Sequence, residues 1–165
     1  MSYLLRSTRR AVWIGGSRSR ESACQEFSRT DQDTDGLSLF EATNDEERLT
    51  VVAAIACAHE KCDRIDVIEV ECDVVERYGR VDRTPDKGVT PVLEANRLHC
   101  SLDWDAAALS KLAEGLFDTG MVPREFDRTA VRAAVRALDP ATIVGESAQE
   151  FVRVEQARPL KPRVR

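Results

Sequence analysis

The chain has 165 residues, 42% hydrophobic, 32% charged and only 5% aromatic, with a net charge of −5. That length suits one domain with a core of Val, Leu, Ile and Ala and is short for two, and the apolar content excludes an intrinsically disordered chain. No apolar run approaches the roughly 20 residues of a membrane helix, and residues 1–20 lack the uninterrupted apolar core of a signal peptide, so a soluble cytoplasmic protein is expected.

In chain order, Arg10–Ile14 predicts a first strand, stopped by Gly15 and Gly16, and Glu21–Ser28 a short helix burying Cys24 and Phe27. Asp31–Gly36 is a loop and Leu37–Phe40 a strand. The densest apolar region, Arg48–Cys72, reads as one helix packed back onto one buried strand. Leu49, Val52, Ala53 and Ala56 recur at helical spacing, with Val51 and Ile55 widening the stripe. Thr43 and Asn44 can cap this helix, and Glu46 and Glu47 fall where a capping box and the helix dipole favour carboxylates. Ile65–Val70 is short and β-branched, as a strand should be.

Farther on, Asp73–Tyr78 predicts a short helix, and Thr84–Pro91 a loop punctuated by two prolines and a glycine. Arg97–Leu102 alternates like a half-buried strand. Asp103 caps a helix through Phe117 with Leu109, Leu112 and Leu116 inward, and Asp127–Leu138 is a further helix ended by Pro140. Ala148–Gln156 is ambiguous between helix and strand. The order predicts an α+β or α/β fold. We expect a single compact domain over residues 1–157, with a mixed, mostly short-stranded sheet flanked by helices. A basic, proline-containing tail, residues 158–165, would be ordered only by docking.

Charge is distributed unevenly. Residues 1–20 carry Arg6, Arg9, Arg10, Arg18 and Arg20 and no acid, residues 124–165 have a net charge of +3, and the stretch between them is −13. An acidic body with basic ends implies that the ends fold back onto the body, pair within a homo-oligomer, or meet a partner. The five cysteines, Cys24, Cys57, Cys62, Cys72 and Cys100, have no framework spacing and read as buried thiols of a reducing compartment.

Several groups of residues carry possible chemistry. Asp31, Asp33 and Asp35 before Gly36 begin like an EF-hand loop, but Ala42 stands where the bidentate glutamate belongs, so a turn without metal is expected. Cys57, His59 and Cys62, with Cys72, His99 and Cys100 elsewhere, lack zinc-knuckle spacing. His99 shares a strand face with Ser101 and is the better of the two histidines for a neutral-pH base. Arg128, Arg132 and Arg136 recur at i, i+4, i+8 on one helix face, a stripe able to grip phosphates or an acidic protein. Arg10, Ser38 and the pair Glu69 and Glu71 follow one another in an order that resembles the Arg, Ser and Glu-x-Glu pattern of arginine-specific ADP-ribosyltransferases. The resemblance implies NAD held by Arg10 and Ser38, with Glu71 stabilising charge at the ribose, although Gly36-Leu37-Ser38 stands where that family has Ser-Thr-Ser.

Taken together, these features favour macromolecular binding, most simply of a protein or a second copy of the chain, with nucleic acid less favoured for want of interleaved aromatics. An ADP-ribosyltransferase-like enzyme is the alternative. It requires Arg10, Ser38 and Glu71 to converge on one cleft, whereas a binding protein does not.

Overall fold

Two short strands whose side chains enter cores on opposite faces set the architecture. In the computed structural model, which describes residues 1–15, 18–28, 36–84 and 89–159, β1 (Tyr3–Ser7) and β3 (Ile65–Glu71) lie side by side. Leu5 and Val67 enter one core, whereas Leu4, Ile68 and Val70 enter another. A sheet buried on both faces needs helices on both faces. The sheet has the order β4-β2-β1-β3-β5, with β2 at Leu37–Ala42, β4 at His99–Leu102 and β5 at Arg124–Phe126. Every pairing is antiparallel.

One face is covered by α3 (Asp45–His59), α5 (Leu93–Arg97), α7 (Arg128–Ala137) and α8 (Glu146–Ala157). The other face is covered by α1 (Arg10–Trp13), α2 (Arg20–Glu26), α4 (Cys72–Glu76) and α6 (Ala106–Asp118). No helix among the described residues is long and apolar enough to cross a membrane.

The central helix forms as expected. Asn44 caps α3 by accepting from the Glu47 amide, and the Glu47 carboxylate accepts from the Thr43 amide and hydroxyl. These bonds, the Thr43 amide first, hold the Glu47 carboxyl below its ordinary range. Val51, Val52, Ala53, Ala54, Ala56 and Cys57 are all buried, because α3 is enclosed by the sheet, α5, α7 and α8 rather than by the sheet alone. Leu49, expected on the inner stripe, is instead 40% exposed.

Other elements depart from expectation. The first strand is Tyr3–Ser7, and Arg10–Trp13 is a helical turn. The Trp13 indole N–H donates to Thr8 Oγ1 at 2.8 Å and to the Glu26 carboxylate at 3.0 Å, which folds this turn back against α2. Residues 93–97 form α5, so β4 starts at His99 rather than Arg97. Asp105, not Asp103, caps α6, whose Leu109, Leu112 and Leu116 are buried as expected. The ambiguous segment is α8, with Ala148, Val152 and Glu155 on its inner face. β5 was not expected; it is three residues long, enclosed between Pro123 and Asp127. Asp31, Asp33 and Asp35 lie outside the described residues. The adjoining Gly36 has φ +90°, and a Cβ there would come within 2.9 Å of the Leu102 carbonyl oxygen, so this position needs glycine.

Candidate functional site

The residues of the ADP-ribosyltransferase-like pattern do not come together. Arg10 donates to Asp66 and to the Pro123 carbonyl, each at 3.3 Å, and lies 3.5 Å from Glu125, on the α6 side of the sheet. Ser38 is on β2 facing the α3 side, opposite Ser101 of β4. Through β1, Ser38 stands level with Ser7 and Val67, and Glu71 is four residues farther along β3, about 13 Å. Ser38 does meet His99 and Ser101, which share its face on the neighbouring strand. His99 is buried edge-to-face against Phe40 with ring centroids 5.7 Å apart, and Ser101 is 1% exposed. Their outer flank is closed by Asp82, whose backbone exchanges two hydrogen bonds with Ser101. His99 and Ser101 are thus buried within the fold, whereas Ser38 is exposed.

Much of the basic charge is likewise engaged within the fold. Arg132 Nε lies 2.9 Å from the buried Glu155 carboxylate, and Arg136 donates to the carbonyls of Glu155 and Arg158. Two members of the arginine stripe therefore bind α7 to α8, and Arg128 alone of the three is exposed. At the N-terminus, Arg9 pairs with Glu26, Arg10 with Asp66 and Arg20 with Asp118. Arg6 donates to the carbonyls of Ser38 and Glu26, and Arg18 stacks 4.5 Å over Phe117. All five N-terminal arginines thus fold back onto the body.

The cysteines are unreactive by environment. All five are free. Burial pushes Cys57 and Cys100 up to about 12, and it raises Cys24, Cys62 and Cys72 as well, so none is a thiolate at neutral pH. No group of three metal-ligating side chains converges among the described residues.

A groove runs along one edge of the sheet. The Thr8 amide donates to the Asp66 carbonyl at 2.9 Å and the Cys72 amide to Ser2 at 3.1 Å, so even-numbered residues of β3 present their backbone to β1. Odd-numbered residues turn theirs the other way. On that side β5 pairs only with Ile65–Val67, because the chain enters β5 through Pro123 and diverges from β3 before it. The amides of Glu69 and Glu71 consequently lie on an unpaired edge, with no backbone partner there among the described residues.

This edge opens into a cleft of about 430 Å³. One wall is formed by the side chains of Tyr3, Glu69 and Glu71, on the α3 side of the sheet, and the other by Val74, Tyr78, Leu116 and Met121, with Arg77 at the rim. Gly115 makes room for Tyr78 to lie against α6, since a Cβ there would collide with the Tyr78 hydroxyl. Glu69 is held in place by Arg124 at 3.2 Å and Arg48 at 3.4 Å, and Arg48 stacks 4.8 Å over Tyr3. Glu71 is exposed and makes no side-chain hydrogen bond or ion pair among the described residues. The groove thus offers backbone donors and acceptors, an available carboxylate and an apolar wall. Glu69 and Glu71 were candidates as catalytic carboxylates; the edge that joins them could not be read from the sequence, because it depends on where β5 stops. No protein-family model matches the chain, and no curated protein or solved structure matches it significantly.

Proposed function

We propose that this protein acts by macromolecular binding, and that the groove beside Glu69 and Glu71 takes an extended segment of a protein partner as an added strand. The observation that supports this reading is the unpaired edge of β3 lying inside a cleft with two different walls. Strand addition uses backbone hydrogen bonds for affinity and alternate side chains for selectivity. A residue opposite Glu69 or Glu71 would share the face of those carboxylates, so a basic side chain suits it. The next residue would face Val74, Leu116 and Met121, so an apolar side chain suits that one. Five free thiols support a reducing, cytoplasmic setting.

Amide hydrogen exchange tests the reading. In the free protein the Glu69 and Glu71 amides should exchange much faster than those of Ile68 and Val70, which face β1. Adding a hexapeptide of alternating basic and apolar residues should protect Glu69 and Glu71 selectively. Equal protection of all four amides before any peptide is added would refute an open edge.

A further inference from the structure

Resting on that groove, we propose that its occupant is residues 160–165 of a second copy of this chain. The sequence there is Leu160-Lys161-Pro162-Arg163-Val164-Arg165, in which every odd position is basic and every even position apolar. That is the two-residue period of a strand with one charged and one apolar face. Aligned antiparallel with Arg163 opposite Glu71 and Arg165 opposite Glu69, the segment would pair Arg163 with the available Glu71 carboxylate and set Arg165 beside Glu69, which Arg48 and Arg124 already hold. Val164 would turn to the wall of Val74, Leu116 and Met121.

Proline placement supports the same register. Pairing through Arg163 and Arg165 requires the amides of odd residues, while those of even residues point away from β3. Pro162, which has no amide hydrogen, occupies an even position, where an added edge strand loses nothing by it.

Reach favours a second copy over the same molecule. Arg158 is anchored to Glu155, whose carboxylate pairs with Arg132; both charges adjoin Cys62, in the connection between α3 and the start of β3. The groove is at the other end of β3, about 20 Å away along seven residues. Arg163 lies five residues beyond Arg158 and can travel about 18 Å at full extension, with nothing to spare for rounding the sheet edge. A second molecule meets no such limit.

Four measurements decide the matter. Sedimentation at low salt should show the full chain self-associating and a chain ending at Pro159 remaining monomeric, with association weakening as salt rises. A fluorescein-labelled peptide of residues 160–165 should bind the shortened chain and protect the Glu69 and Glu71 amides. Glu71→Lys, at an exposed position, should retain the fold by thermal melting and weaken the peptide about tenfold or more, a loss of about 1.4 kcal/mol. Arg163→Pro in the peptide should abolish binding. Equal association of the full and shortened chains would overturn the proposal. So would a monomeric full chain whose tail peptide fails to bind. In that second case, protection of Glu69 and Glu71 by an unrelated basic-apolar peptide would leave the groove reading standing and remove only the tail; no protection by any peptide would remove both.

Discussion

Replacing Val67 by Asp tests the central packing most directly. Val67 is fully buried in the middle of β3, between Ser7 on β1 and Arg124 on β5, with its side chain in the core that includes Leu5 and Val52. Valine and aspartate have similar volumes, so the substitution leaves little cavity and the cost is that of the charge. Such a carboxyl would stay protonated rather than ionise, its pKa rising by roughly 3–5 units. At about 1.4 kcal/mol per unit, and with only the roughly 3 units between the unfolded pKa and pH 7 counting, this costs about 4 kcal/mol at pH 7, against a total stability of about 5–15 kcal/mol for a typical domain. The Arg124 guanidinium shares this face but is tied to Glu69, so only part of it is available to compensate. The pH dependence follows from the sign of the shift. A folded pKa above the unfolded value of about 3.9 leaves stability intact below that value and removes it as pH rises toward the folded pKa. Urea denaturation should therefore show a large loss at pH 7 and a much smaller one at pH 4, each against the parent chain. Equal midpoints at pH 7, or an identical deficit at both pH values, would refute the placement of Val67.

Two further outcomes are expected. Burial pushes the Glu26 carboxyl up, but hydrogen bonds from Thr8, Arg9 and Trp13 outweigh it and hold the group below its ordinary range. Its contribution is therefore present above the unfolded carboxyl pKa and is lost as pH falls through the folded one; acid titration followed by tryptophan fluorescence should show a transition that Glu26→Gln flattens. Glu155→Ala should destabilise by about 2–3 kcal/mol in thermal or urea unfolding, below the range for a fully buried pair because Arg132 and Arg158 can turn to solvent, while Glu155→Met should cost clearly less.

Local chemistry made much of this protein legible from its sequence. The capped helix α3, the β-branched strand β3, the leucine face of α6 and the helix α7 all depend on residues within a turn or two of one another. Helix caps and side-chain periods act at that range, so the sequence alone was enough to predict a mixed α and β architecture. What it could not supply was neighbourhood. Tyr3–Ser7 is a central strand buried on both faces, so it lacks the alternation that marks a half-buried one, and residues 10–13, which resemble a strand, are turned into a helix by contacts to Thr8 and Glu26. The arginines of α7 look like a solvent-facing stripe until α8 packs beside them and brings Glu155 to Arg132. Arg10, Ser38 and Glu71 follow one another suggestively along the chain, yet strand order and register place them on different faces and at different levels of one sheet. The groove itself is a purely tertiary feature: it exists because β5 pairs with three residues of β3 and leaves the remainder of that edge open, a consequence of where two distant segments meet.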